Sequence, residues 1–447
     1  MVKRSGSEGP APAAKRARGQ LNAAPRLPHE RLDVFVFGSG TICELGLGPN
    51  VTEVKRPRLS PLLPADSAGI VSVACGGAHT IALDYTGQLW SWGQNDSGAL
   101  GRDTTQRPED VDEDNDINPL ESTPAKVDFA LSDGDEFVAI SATDSASAAV
   151  TAAGYVYAWG TFIDDGNKAF DETTKFQPRP VRVRGVSRAV ALAAGKDHFL
   201  ALTADGHVYA WGIGSSFQLG YKVRASLRSQ RVRTQRPVRV AVRDIVHIAA
   251  GDYNSYAVDA SGHVFAWGLN NFGQSGIDDP VGPNTFIERP THAPFWDDKH
   301  IVQIAGGGHH SLWLGADGAV YTVGETNFHQ LGIPDGQYPE NTVREQDGTP
   351  SFVPTPTRLT AARFEDDDVE LPPIKFIAVG TDHCLALSRL DGSCWTWGFG
   401  AVYQIGHGPE EEEEEIPRRI KNTATTGRNM VWAGAGGQFS VIASVHE

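Results

Sequence analysis

The stretch Gln88 to Gly101, QLWSWGQNDSGALG, comes back along the chain, and a recurring unit limits what a chain can fold into more than its composition does. Aligned on its outer glycines, it returns as DVFVFGSGTICELG from Asp33, HVYAWGIGSSFQLG from His207 and HVFAWGLNNFGQSG from His263. Two more copies are AVYTVGETNFHQLG from Ala319 and SCWTWGFGAVYQIG from Ser393. A seventh, YVYAWGTFIDDGNKAF from Tyr155, opens the same way and then abandons the pattern.

A second segment precedes each unit, as in GIVSVACGGAHTIALDYTG from Gly69, RAVALAAGKDHFLALTADG from Arg188 and HIVQIAGGGHHSLWLGADG from His300. Each reads as strand, tight turn, strand, glycine turn, and then the W-G strand, in which Val208 and Ala210 alternate with Tyr209 and Trp211. Outer strands such as PAKVDF from Pro124 and PRPVRV from Pro178 make four strands per unit. Seven such units in 447 residues predict an all-β, seven-bladed β-propeller. First strands rich in Ala and Gly, such as Ala193-Ala194-Gly195, suit the crowded axis. The chain enters its first unit at a third strand, from Asp33, and ends with a first and second strand, from Met430. One blade is therefore expected to be closed by both termini.

Composition agrees with many turns, with 49 glycines and 2 methionines. No apolar run is long enough for a membrane helix, and a basic, polar N-terminus with no apolar segment behind it predicts a soluble, unsecreted chain with no membrane partner. Cys43, Cys75, Cys384 and Cys394 form no C-x-x-C pair and read as buried reduced thiols. No metal site or cofactor is expected, and zincin, nucleophile-elbow and P-loop motifs are absent, which argues against covalent chemistry. The net charge of −16 conceals a basic start, since residues 1–31 hold seven Lys or Arg against two Glu. Acid collects in Glu109 to Asp116, Glu365 to Glu370 and Glu410 to Glu415, runs expected to be solvated loops.

The W-G strands, G-G-x-H turns and Q-L-G endings over residues 33–447 resemble the regulator of chromosome condensation family. The resemblance is to its fungal-type nuclear exchange factors for the GTPase Ran. It implies a propeller over 31–447 behind a disordered basic tail at 1–30, and guanine-nucleotide exchange on a Ran-like GTPase by a protein held on chromatin, in support of nucleocytoplasmic transport and mitosis. A scaffold of the same fold without exchange activity is the rival reading.

Strand parity places the turn between first and second strands on the same rim as the connection after the third strand. The turns end in His79, Ala146, His198, Asn254, His310, His383 and Phe439, and the histidines are expected to bond turn carbonyls. Residues that break the turn pattern, Asp144, Lys196-Asp197, Asp252 and Asp382, predict an acidic, polar rim. The broken copy, Thr161 to Asn167, has an Asp-Asp-Gly-Asn hairpin signal and should project beside Asp144 and Asp197. By resemblance it is the wedge that presses on the GTPase, through Phe162, Asp164, Asp165, Gly166 and Asn167. The resemblance also assigns GTPase contacts to Asp144, Asp197, Asn271 and His310. Ile163, Gly273 and Phe439 depart from residues common in the family.

Two basic elements complete the reading. Lys3-Arg4 and Lys15-Arg16-Ala17-Arg18 have the spacing of a bipartite import signal for a nuclear import receptor. The run from Lys222, with Arg224, Arg228, Arg231 and Arg233 and no acid, corresponds by resemblance to a loop that faces nucleosomes, where arginines meet acidic histone surfaces or DNA phosphate.

Overall fold

Blade 4 shows how the repeat becomes structure. Ala189–Ala194, His198–Thr203 and Val208–Gly212 pair antiparallel in that order, and the short Val238–Arg239 closes the sheet outside. The second strand is buried along its whole length, because neighbouring blades cover both of its faces. The turn after the inner strand needs glycine at its first position, since a Cβ on Gly195 would lie 2.3 Å from both the His198 ring and the Gly251 carbonyl.

The computed structural model describes residues 20–447, except 108, 110, 113–114, 132–133, 165, 172, 222–236, 278–279 and 410–411. Seven of its sheets are blades built on this plan, two of them with extra edge strands, and an eighth is a separate two-stranded hairpin. Helix is confined, among the described residues, to short pieces such as Pro119–Ser122 and Pro294–Trp296. Numbered from the N-terminus, blade 1 has the strand order Glu53–Leu59, Leu32–Ser39, Phe439–Val445, Met430–Ala435. Both chain ends thus enter one sheet, in register from Leu32 opposite Val445 to Gly38 opposite Phe439. Asp33 fastens the closure by binding Arg428 and His446, the latter at 2.8 Å.

The upper rim carries the turns between inner and second strands and the connections from third to outer strands; the lower rim carries the rest. Backbone bonds link successive upper turns around the axis, including Asp144 N–H to Lys196 O at 3.0 Å, Lys196 N–H to Asp252 O at 3.2 Å and Asp252 N–H to Gly307 O at 3.1 Å. Trp92, Trp159, Trp211, Trp267 and Trp397 are all fully buried between blades.

Two expectations are corrected. Residues 20–30 belong to the folded body: the N–H groups of Leu21 and Asn22 donate to Ala204 O, the Asn22 amide donates to the carbonyls of Thr203 and Ile245, and Leu27 is buried with Val71 and Phe137. This strap crosses the lower rim, so residues 20–30, expected in the tail, are part of the propeller body. Nor are the acidic runs all loops: Asp367–Glu370 is a strand paired with Ala361–Phe364, and the second half of the glutamate run is strand as well. Glu413–Arg419 is the outer strand of blade 7, and Glu414, 2% exposed, pairs with Arg418 and lies near Arg363. Burying its charge is tolerable because it is paired.

Candidate functional site

Six of the seven blades have one glycine at the start of the upper turn; blade 3 has Thr143, and at the end of that turn Ala146 where four blades have His. Thr143 Oγ1 accepts the Ala146 N–H at 2.9 Å, so the turn is closed by its own hydroxyl and presents Asp144 at its second position. Blade 4 presents Lys196 and Asp197 there, and blade 5 Asp252. These turns line a cavity of about 100 Å³ on the axis, with Asp144, Asp252 and Thr381 on its wall.

Lys196 lies at the centre of the charge. Its Nζ is 3.8 Å from Asp144 and 5.7 Å from the Tyr253 ring centre. Burial alone would depress this ammonium, but Asp144 foremost, then Tyr253 and Asp252, hold it above the usual lysine range. Burial raises the carboxyls of Asp144 and Asp382, and raises Asp252 to about 7, with help from Asp144 and against Lys196. The rim therefore holds acids that gain by meeting further positive charge. Tyr253, His309 and Phe272 form an aromatic arc beside them, with ring centres 5.9 and 5.0 Å apart in sequence. The residues of this arc lie inside otherwise regular repeat copies, and only the aromatic side chains of Tyr253 and His309, at turn positions that are Ala78, Ser145, Asp197, Asp382 and Gln438 elsewhere, hint at it.

The broken repeat copy forms a hairpin on this rim. Phe162–Asp164 pairs with Asn167–Ala169, and Gly166 takes the positive φ of 77° that the tight turn requires. Gly166 and Asn167 are exposed and Asp164 is half-buried; Asp165 lies outside the described residues. Asp197 Oδ1 accepts the Ile163 N–H at 2.7 Å. Burial pushes this carboxyl up to about 7, aided by Asp144 and Asp164 and opposed by the Ile163 N–H.

Several residues assigned to partner contact are placed differently. Phe162 is completely buried at the hairpin root, Asp197 is 8% exposed, and His310 is 1% exposed. His310 Nε2 lies 3.1 Å from Cys384 Sγ on the next blade, and burial lowers the imidazole to about 3. These three support the rim from within. Asp144 is half-exposed, and Asn271 accepts a hydrogen bond from Gln274 Nε2 at 2.7 Å in the upper connection of blade 5. The recurrent histidines do not bond turn carbonyls through Nε2. His79, His198 and His383 reach hydroxyls on the following blade, those of Ser147, Ser255 and Ser440, at 2.8, 2.8 and 2.9 Å.

Lys222, Arg224, Arg228, Arg231 and Arg233 lie outside the described residues, as do Lys3, Arg4, Lys15, Arg16 and Arg18. Among the described residues no group of His, Cys, Asp or Glu is arranged to hold a metal ion, and no helix is long and apolar enough to cross a membrane.

The fold and this rim define a closed seven-bladed propeller with an acidic face on which the hairpin at 162–169 stands. Residues 33–442 match the RCC1-like domain, and the chain belongs to that family. It is 40% identical, over all of this chain and 97% of the relative, to the guanine nucleotide exchange factor SRM1 of Saccharomyces cerevisiae. It is 30% identical to the human regulator of chromosome condensation, covering 92% of this chain and 90% of that protein. The solved structure of Prp20p from Saccharomyces cerevisiae, described with its binding to Gsp1p and histones, superposes with a TM-score of 0.85 at 40% identity, over 95% of this chain and 94% of that one. Yeast RCC1 (Prp20) bound to Kap60 gives a TM-score of 0.86 at 39% identity, over 100% and 97% of the two chains.

Proposed function

We propose that this protein is a guanine-nucleotide exchange factor for a Ran-like small GTPase, acting in the nucleus on chromatin. The observation that carries the reading is the hairpin at 162–169, which replaces a regular repeat ending and stands on the acidic upper rim. Exchange requires no bond to be made or broken in the protein. A GTPase holds its nucleotide by phosphate contacts and Mg²⁺, and a partner that binds the empty GTPase more tightly than the loaded one weakens nucleotide binding by the same factor.

The residues divide this work. Asp144, Asp164, Asp165 and Asn271 meet basic and polar groups of the empty GTPase, and the hairpin tip at Gly166 and Asn167 displaces elements that hold the phosphates. Asp197, Phe162 and His310 hold that apparatus in place. Lys222, Arg224, Arg228, Arg231 and Arg233 engage the nucleosome, through histone acids and DNA phosphate. Lys3, Arg4, Lys15, Arg16 and Arg18 are read by an import receptor.

The test is release of fluorescent GDP from a panel of purified small GTPases. Selective acceleration with a Ran-type GTPase supports the reading; binding without acceleration would make the protein a scaffold.

A further inference from the structure

Blades meet through a repeated set of side-chain bonds. Between blades 2 and 3, His79 Nε2 is 2.8 Å from Ser147 Oγ, Ser147 donates to the Ala99 carbonyl at 2.9 Å, and Trp159 Nε1 donates to the same carbonyl at 2.7 Å. Between blades 4 and 5 the set is His198, Ser255, Trp267 and the Gln218 carbonyl. Between blades 6 and 7 it is His310, Cys384, Trp397 and the Gln330 carbonyl. The other seams keep part of it: Trp92 to Glu44 O, Ser311 to Gln274 O, and His383 with Ser440.

Among the described residues, the seam between blades 3 and 4 has none of these bonds. Blade 3 offers Ala146 in place of His, blade 4 offers Phe199 in place of Ser, and the broken copy has no x-L-G ending to supply the carbonyl. The buried Trp211 Nε1 accordingly finds no acceptor. Apolar contact fills the place of the bonds. Phe199 packs edge-on against Phe162 with ring centres 6.0 Å apart and stacks on Trp211 at 5.3 Å, while Phe162 stacks on Phe170 at 6.3 Å. Phe162 begins the first hairpin strand and Phe170 directly follows the second, so the root of the hairpin rests on blade 4.

We propose that Phe199 is a positioning residue for exchange. The seam has given up its polar set so that blade 4, through Phe199 below and Asp197 above, sets the angle at which the blade 3 hairpin meets the GTPase. The inference rests on the exchange reading and adds to it a residue that touches neither GTPase nor nucleotide.

The test restores the repeat's own seam. Thr143→Gly, Ala146→His and Phe199→Ser together rebuild a His–Ser pair while leaving Asp144 and Asp197 in place. The triple variant is expected to melt closer to wild type than Phe199→Ser alone, yet to lose hydrogen-exchange protection at the Ile163 amide. Its maximal exchange rate per folded molecule should fall at least about tenfold with a smaller change in KM, since displacement of a catalytic element by about 1 Å can cost a hundredfold. A graded pair, Phe199→Leu and Phe199→Val, keeps the question open to refutation if the triple variant does not fold. Leu should stay within about twofold of wild type, and Val should lose hairpin protection before global stability. Wild-type hairpin protection and wild-type exchange in folded seam variants would overturn the proposal. So would a loss of activity that merely follows the folded fraction. If the wild-type protein accelerated release from no GTPase, the functional reading would fall, and the protection measurement would still decide whether Phe199 supports the hairpin.

Discussion

The carboxylate of Asp197 accepts the backbone N–H of Ile163 at 2.7 Å, so a side chain of blade 4 holds the hairpin that grows from blade 3. At 8% exposure Asp197 is a strut rather than a surface charge. Asp197→Ala removes the acceptor and should slow exchange by tens-fold or more, corresponding to the roughly 2 kcal/mol or more that loss of a buried charged hydrogen-bond partner costs. Asp197→Asn keeps an acceptor oxygen without the charge and should stay within a few fold of wild type. Exchange rate against GTPase concentration for the two variants checks this; equal losses in both would make charge, and not support, the role of Asp197.

Glu44 stands where four other copies have Gln218, Gln274, Gln330 and Gln404, and like them it accepts the N–H two residues back, from Ile42 at 2.8 Å. Burial pushes its carboxyl up from 4.5 to about 7. A raised carboxyl binds its proton more tightly in the folded state, so its contribution to stability is lost as pH rises through the window from about 4.5 to 7. Glu44→Gln should therefore be more stable than wild type at pH 8, by up to about 3 kcal/mol, with the difference fading below about pH 5. Urea midpoints at the two pH values measure it; no pH dependence in the difference would contradict the assignment.

Closure by both termini makes the last strands part of the body. Removing residues 430–447 takes the two inner strands from blade 1 and leaves Leu32–Ser39 without its inner neighbour. The truncated chain should lose its cooperative melting transition rather than shed a loose end. A retained transition would show that blade 1 does not need its C-terminal half.

Nucleosome binding should depend on the basic tail and on Arg224, Arg228, Arg231 and Arg233. Where these meet DNA phosphate, each lost contact should reduce the log–log salt slope by about 0.9. Unchanged affinity after both elements are neutralised would remove them from the chromatin interface.

The blades, their number and their closure were legible because a period-two pattern repeated seven times leaves few alternatives. The hairpin was legible as a departure from that pattern. What was missed depends on partners far along the chain. His198 reads locally as a turn residue, yet its Nε2 partner is Ser255, on the next blade. Asp197 looks like a surface turn because nothing local says that Ile163 will fold over it. Leu21, Asn22 and Leu27 lie in a Pro- and Ala-rich stretch with no periodicity, and their places are set by Ala204, Thr203 and Val71. Glu414 reads as one acid in a run of six, and the paired strand and Arg418 that bury it are visible only in the folded sheet.

Emptying of the GTPase nucleotide site by the upper rim is the step on which the proposed function turns. It is tested most directly by release of fluorescent GDP from a Ran-type GTPase at substoichiometric amounts of the protein, compared with unrelated small GTPases. Multiple turnovers are expected, with acceleration selective for the Ran-type GTPase that is abolished or strongly reduced when the hairpin from Phe162 to Ala169 is shortened to Gly-Gly. Release at the spontaneous rate, or acceleration that survives loss of the hairpin, would contradict it.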